Sequence, residues 1–94
     1  MARLSDDEIS ERLEGSRWGR EDDSIVRDFE FDDFKAAMAF VNRVADVAEE
    51  ANHHPDIFVH GWNKVRLTLS THSEGGLTDA DHALARRIDQ VTGG

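Results

Sequence analysis

The sequence contains no cysteine and no tyrosine, and its only proline is Pro55. The absence of cysteine excludes disulfides, thiolate metal sites and a cysteine nucleophile, and it fits a reducing compartment. No apolar run approaches the roughly 20 residues that a membrane-spanning helix needs, and residues 1–8 lack the apolar core of a signal peptide. We therefore expect a cytoplasmic protein that does not bind membranes.

Positive charge is also scarce. The 94 residues include 11 Lys and Arg against 20 Asp and Glu, so the formal net charge is −9. Such a field repels phosphate backbones, and we expect no direct binding to nucleic acid. The length suits a single domain over residues 1–94. A domain of this size buries only about 60–65% of its unfolded surface, so we expect a homodimer or homotetramer.

Helix signals are clear at two places. Ser5–Glu8 has the pattern of a capping box, which predicts a short helix that ends near Gly15. Between Phe34 and Ala48 apolar residues recur at spacings of three and four, which predicts a long amphipathic helix. Pro55 disfavours a helical conformation at the preceding residue, so this helix should end near Ala51.

The predicted elements alternate between helices and pairs of strands, in the order α-β-β-α-β-β-α. The helices cover about residues 5–14, 33–51 and 78–91, and the strands cover about residues 18–21, 24–31, 57–60 and 64–70. Each strand pair reads as a hairpin, and nothing indicates a βαβ crossover. The pattern predicts an α+β domain, a four-stranded antiparallel sheet with three helices packed on one face.

Histidines provide the candidate chemistry. His53 and His54 stand at the C-terminal end of the long helix, and His72 stands just after a strand. Imidazole has an unperturbed pKa of about 6.5, so it can give or take a proton near neutrality. Converging imidazoles could protonate a leaving group and remove a proton elsewhere in one substrate. Alternatively, the pair caps the helix C-terminus and His72 is a surface residue.

Two acidic residues have similarly divided interpretations. Glu49 precedes His53 by four residues and shares its helix face, so it could orient the ring, contact a substrate, or remain a solvated acid. Asp81 could cap the last helix through Thr78 or supply a carboxylate to a pocket. Three histidines could also hold zinc. However, the chain has no HExxH pattern, and adjacent histidines rarely aim at one ion.

The two tryptophans and the two remaining histidines are expected to have structural or surface roles. Trp18 and Trp62 are either packing residues or flat walls for a planar heterocycle, and packing is the more common role for each. His60 lies near a hairpin turn and His82 lies one turn into the last helix, so both are expected at the surface.

The full motif Glu49-x3-His53-His54-Pro55-x6-Trp62-x9-His72-x8-Asp81 closely resembles the signature of the pterin-4a-carbinolamine dehydratases. The stretches 29–34 and 63–81 are also similar to that family, so the resemblance covers essentially the whole chain. It implies an α+β fold and the dehydration of a 4a-hydroxytetrahydropterin to the quinonoid dihydropterin. It also implies that no metal or organic cofactor takes part.

The resemblance assigns roles to individual residues. His53 and His72 would be the acid and base groups, and His54 would bind and orient the pterin. The implied substrate contacts come from Glu49, Pro55, Asp81 and Trp18. Some relatives instead act as a dimerisation cofactor for a transcription factor. A non-catalytic binding role or a pterin-binding accessory role is therefore the alternative.

Overall fold

The computed structural model describes residues 2–92, and within this range the predicted element order and α+β class are confirmed. The helices are α1 (Asp6–Leu13), α2 (Phe34–Ala51) and α3 (Asp79–Thr92), and the strands are β1 (Gly19–Glu21), β2 (Ser24–Glu30), β3 (Asp56–His60) and β4 (Lys64–Leu69). A short 3₁₀ turn, His72–Glu74, follows β4. No helix in residues 2–92 has the length and apolar character needed to cross a bilayer.

The four strands form one antiparallel sheet in the order β1-β2-β4-β3. In the central pair, Ile25 lies opposite Leu69 and Phe29 lies opposite Val65. These side chains are buried under the helices, because alternate residues of a strand point to the same face. The other face carries charged residues, among them Asp28 and Arg66, whose side chains form two hydrogen bonds of 2.8 and 3.0 Å.

A charged pair lies at the margin of the core. Arg27 projects from the helix-covered face of β2, where its side chain is 9% exposed and forms an ion pair with Asp89 of α3. The same Asp89 oxygen accepts a hydrogen bond from Trp18 Nε1 at 2.8 Å. A largely buried guanidinium requires an anionic partner, and this contact joins β2 to the C-terminal half of α3.

The ends of α2 are set by local sequence. Asp33 caps the N-terminus by accepting a hydrogen bond from the Ala36 amide at 2.7 Å. At the other end Asn52 adopts a left-handed conformation with φ of 51°, which asparagine tolerates better than most residues. The His53 amide then donates to the Ala48 carbonyl at 3.1 Å. The predicted end at Ala51 is confirmed, and the chain turns so that His53 leaves the helix toward α3.

Candidate active site

His53 contacts the N-terminal turn of α3. Its Nε2 lies 2.5 Å from Asp81 Oδ1, and the imidazole is 17% exposed while the carboxylate is fully buried. A carboxylate oxygen accepts hydrogen bonds, so Nε2 is the donor. The other ring nitrogen, Nδ1, is therefore the one left for a substrate.

The Asp81 carboxylate is held by two further hydrogen bonds. Its Oδ2 accepts from the Thr71 hydroxyl at 2.7 Å and from the Thr78 amide at 3.0 Å. The two threonine hydroxyls lie 2.9 Å apart. Because the Thr71 hydroxyl donates its single proton to Asp81, the Thr78 hydroxyl is the donor to Thr71. The carboxylate thus caps α3 through Thr78, which is one of the two interpretations that the sequence allows, and it also holds the His53 ring.

This burial changes the role expected of Asp81. A fully buried carboxylate with three protein donors has no surface left for a substrate. Asp81 acts on the site through His53. Thr71 is the member of this network that the sequence analysis missed, and its position directly before the candidate His72 is the signal that could have found it.

His54 has a different environment. Its Nε2 is hydrogen-bonded to Glu49 Oε2, and both side chains are more than half exposed. The sequence predicts that Glu49 could orient the His53 ring. In the structure the hydrogen-bond partner of Glu49 is His54 instead. Pro55, half-buried, follows the pair and precedes β3.

His72 begins the 3₁₀ turn at the next position after Thr71. The turn is enclosed by a backbone bridge in which Thr71 and Gly76 exchange hydrogen bonds of 3.0 and 3.3 Å. Within residues 2–92 the His72 imidazole has no hydrogen-bond partner, and the residue is exposed. Since Thr71 bonds to Asp81 and Asp81 bonds to His53, His72 directly follows a residue of the network that holds His53.

The three imidazoles differ in how they are held: His53 is bonded to a buried acid, His54 is bonded to an exposed acid, and His72 has no hydrogen-bond partner among residues 2–92. This arrangement can supply proton donors and acceptors to a bound molecule. Within residues 2–92 no three His, Cys, Asp or Glu side chains are grouped to hold a metal ion.

Trp18 does not belong to this cluster. It is buried in the core and bonded to Asp89, eight residues along α3 from Asp81. A helix rises about 1.5 Å per residue, so roughly 12 Å separates these two positions. The expectation that Trp18 forms a wall for a substrate is corrected to a packing role, and we leave it out of the proposed site.

Two further expectations are wrong. Trp62 is not a packing residue, because it is 61% exposed in the turn between β3 and β4. His82 is not at the surface, because it is 3% exposed, and its Nε2 has no hydrogen-bond partner within the described residues 2–92. Burial in a low-dielectric environment lowers the pKa of His82, and the neighbouring cations Arg12 and Arg86 lower it further.

Comparisons with known proteins are consistent over the whole chain. The family model described as pterin 4 alpha carbinolamine dehydratase matches residues 2–91. A relative from Thermomicrobium roseum, provisionally named a pterin-4-alpha-carbinolamine dehydratase, is 51% identical over 92 residues, which is 97% of this chain and 98% of the relative.

Two solved structures are also similar. A transcriptional coactivator/pterin dehydratase from Brucella melitensis has a TM-score of 0.88 and 38% identity, covering 95% of this chain and 97% of that one. A pterin dehydratase-like protein identified as a RuBisCO assembly factor in the alpha-carboxysome has a TM-score of 0.66 and 28% identity, covering 82% of this chain and 88% of that one.

Proposed function

This chain belongs to the pterin 4 alpha carbinolamine dehydratase family, and we propose that it dehydrates a 4a-hydroxytetrahydropterin to the quinonoid dihydropterin and water. In this reaction the bond from C4a to the hydroxyl oxygen breaks and the proton on N5 leaves. The electron pair of the N5–H bond forms the new C4a=N5 double bond. One proton is delivered to the leaving hydroxyl and one is taken from N5, so the pair of imidazoles carries the same number of protons after the reaction. The proton then lies on the other ring, and exchange with solvent restores the starting state.

The observation that carries the proposal is the coupling of His53 to the His72 turn through Asp81 and Thr71. We assign the two proton transfers to His53 and His72. The carboxylate of Asp81 keeps the His53 ring in one orientation, as a carboxylate does for a catalytic histidine in other enzymes. His53 then works through Nδ1, while the His72 ring has no hydrogen-bond partner among residues 2–92.

His54 and Glu49 are assigned to substrate binding. Both are exposed and already hydrogen-bonded to each other, so a polar heterocycle could exchange with either partner at low cost. Pro55 fixes the backbone after the histidine pair, which limits the directions in which the two rings can point. No step of this scheme requires a metal or an organic cofactor.

The direct test is formation of quinonoid dihydropterin from carbinolamine generated by an aromatic amino acid hydroxylase, followed by absorbance with and without the protein. We expect the protein to accelerate this dehydration at catalytic concentration. Prior treatment with a chelator should leave the rate unchanged. If the rate equals the spontaneous rate, the proposed activity is wrong, and if chelation abolishes an observed rate, the metal-free scheme is wrong.

A binding role is the second candidate, and exposed aromatic side chains favour it. Phe34, Phe58 and Trp62 are each more than half exposed, and such residues often mark contact surfaces. The two similar structures are titled as a coactivator/dehydratase and as an assembly factor. An inactive protein in the dehydration assay would favour this role for the chain.

We also propose that the chain is a cytoplasmic homodimer or homotetramer that serves tetrahydropterin recycling. The edge strand β3 and the exposed Phe58 support self-association, because an unpaired strand edge is a template for pairing with a second chain. Light scattering at micromolar concentration should give a multiple of 10.6 kDa. A monomer would contradict the proposed assembly without affecting the proposed reaction.

A further inference from the structure

We infer that Arg3 is a positioning residue for His72, which it restrains through the backbone of the turn that carries this histidine. The N-terminal segment before α1 lies along the C-terminal side of the turn. The Leu4 amide donates to the Leu77 carbonyl at 2.8 Å, and Arg3 Nη1 donates to the Gly75 carbonyl at 3.3 Å. The catalytic meaning of this contact rests on the proposed function, whereas the contact itself does not.

The bond from Arg3 reaches His72 in two steps. Gly75 ends the 3₁₀ turn in a left-handed conformation with φ of 70°, and its amide donates to the His72 carbonyl at 3.1 Å. Arg3 holds the carbonyl of this same Gly75. A residue that both closes the turn and bonds to Arg3 links the position of the N-terminal segment to the backbone of His72.

His72 depends on its backbone more than the other two histidines do. His53 and His54 each have a carboxylate that fixes the ring. No side-chain hydrogen bond to His72 occurs within residues 2–92, so the placement of its imidazole depends on the backbone of the turn. The Thr71–Gly76 bridge holds the base of the turn, and Arg3 is the side chain that holds its far side.

Gly76 has no side chain, and this leaves space for the side chain of Arg3. A Cβ atom built on Gly76 would lie 2.7 Å from Arg3 Cδ and 3.2 Å from Arg3 Cγ, and its three nearest neighbours all belong to Arg3. Because the φ of Gly76 is not in the left-handed region, alanine is compatible with the backbone there. Gly76→Ala should therefore act mainly by displacing the Arg3 side chain.

The experiment uses the full chain without an N-terminal tag and compares Arg3→Ala with the control Arg20→Ala. Arg20 lies near the same segment and pairs with Asp6 at 2.9 Å, so its loss changes the net charge equally. We expect Arg3→Ala to lower kcat by about 3- to 10-fold with a smaller change in KM, because a small misplacement of a reacting group is costly. Arg3→Lys, which keeps the aliphatic stem and one donor, should recover part of the loss.

A double-mutant cycle tests the path of the effect. If Gly76→Ala acts by displacing Arg3, the double variant Arg3→Ala/Gly76→Ala should lose no more activity than the more damaging single variant. A double loss equal to the product of the single losses would contradict the inference. So would an Arg3→Ala variant whose kcat matches that of Arg20→Ala.

A second measurement is independent of catalysis. In Arg3→Ala, the amides of residues 72–77 should exchange with solvent faster, and the NMR signal of the His72 ring should shift, while the His53 ring signal changes less. Unchanged exchange and an unchanged His72 signal would overturn the inference even in an active protein. If the wild-type chain has no dehydratase activity, the proposed function fails and this measurement still decides the role of Arg3.

Discussion

Asp81 Oδ1 lies 2.5 Å from His53 Nε2, although 28 residues separate them in sequence. The contact joins the first turn of α3 to the segment that follows α2. Since the carboxylate is buried and also accepts hydrogen bonds from Thr71 and Thr78, it holds one ring orientation rather than binding a substrate itself. A buried carboxylate bonded to a partly exposed imidazole is the arrangement expected when a ring must be oriented for proton transfer.

Asp81→Asn should lower kcat by about 10- to 100-fold with a smaller effect on KM, a range typical of groups that orient a functional histidine. The amide cannot accept from His53, Thr71 and Thr78 as the carboxylate does. The unsatisfied donors should also lower the free energy of unfolding by about 1–3 kcal/mol. Steady-state kinetics and urea unfolding measure the two effects.

The matched control for this variant is Asp79→Asn, an exposed acid in the same helical turn that pairs with Arg12. Its kcat should stay close to the wild-type value. If Asp81→Asn retained full activity while it was folded, the assignment of Asp81 as the residue that orients His53 would be wrong.

His54→Ala should raise KM more than it lowers kcat, because His54 is assigned to binding and a lost ground-state contact appears mainly in KM. Glu49→Gln should change KM in the same direction and by less, since the glutamine amide removes the charge but keeps an oxygen that can accept a hydrogen bond. Glu50→Gln is the matched control, because this neighbouring acid pairs with Arg87. A fall in kcat with unchanged KM for His54→Ala would place this ring in the chemical step instead.

Because His82 is buried, we expect the free energy of unfolding to fall in mild acid. Its pKa in the folded protein is lowered from the ordinary value of 6.5, because burial and the cations Arg12 and Arg86 disfavour the charged form, and this exceeds the opposing effect of Asp81 and Asp79. The unfolded state therefore binds a proton more readily than the folded state. Stability contributed by the neutral ring is complete above the unfolded pKa and is lost as the pH falls toward the lowered folded pKa.

The measurement is the free energy of unfolding of the wild type and of His82→Leu between pH 7.5 and 5.5. The wild type should lose more stability over this interval than the variant does, whatever their difference at pH 7.5. Parallel curves for the two proteins would show that His82 does not titrate differently on folding.

Local signals were sufficient to predict most of the fold. The capping box at Ser5–Glu8 acts within a few residues, and the structure contains it. The bounds of α2 could be predicted because the apolar spacing begins at Phe34 and because Pro55 disfavours a helical conformation at the residue before it, and both signals are independent of tertiary contacts.

Features that depend on contacts between residues far apart in the sequence could not be predicted. His82 is buried and lies near Arg12 of α1, whereas its helical position alone indicates a surface residue. Arg27 interrupts an apolar strand face, but its partner Asp89 lies 62 residues away, so no local signal identifies it. Likewise, the motif identified Asp81 but could not distinguish a carboxylate that binds substrate from one that orients His53.

The central claim, that His53 and His72 share the two proton transfers, is tested most directly by ranking histidine variants in the quinonoid dihydropterin assay. His53→Ala and His72→Ala should each lower kcat by about 10²- to 10⁴-fold, the usual contribution of a general acid or base. The double variant should lose less than the product of the two losses, because the residues act as a unit. His60→Ala, a change at the end of β3 outside the site, should retain nearly full activity. If folded His53→Ala or His72→Ala were as active as His60→Ala, the claim would be contradicted.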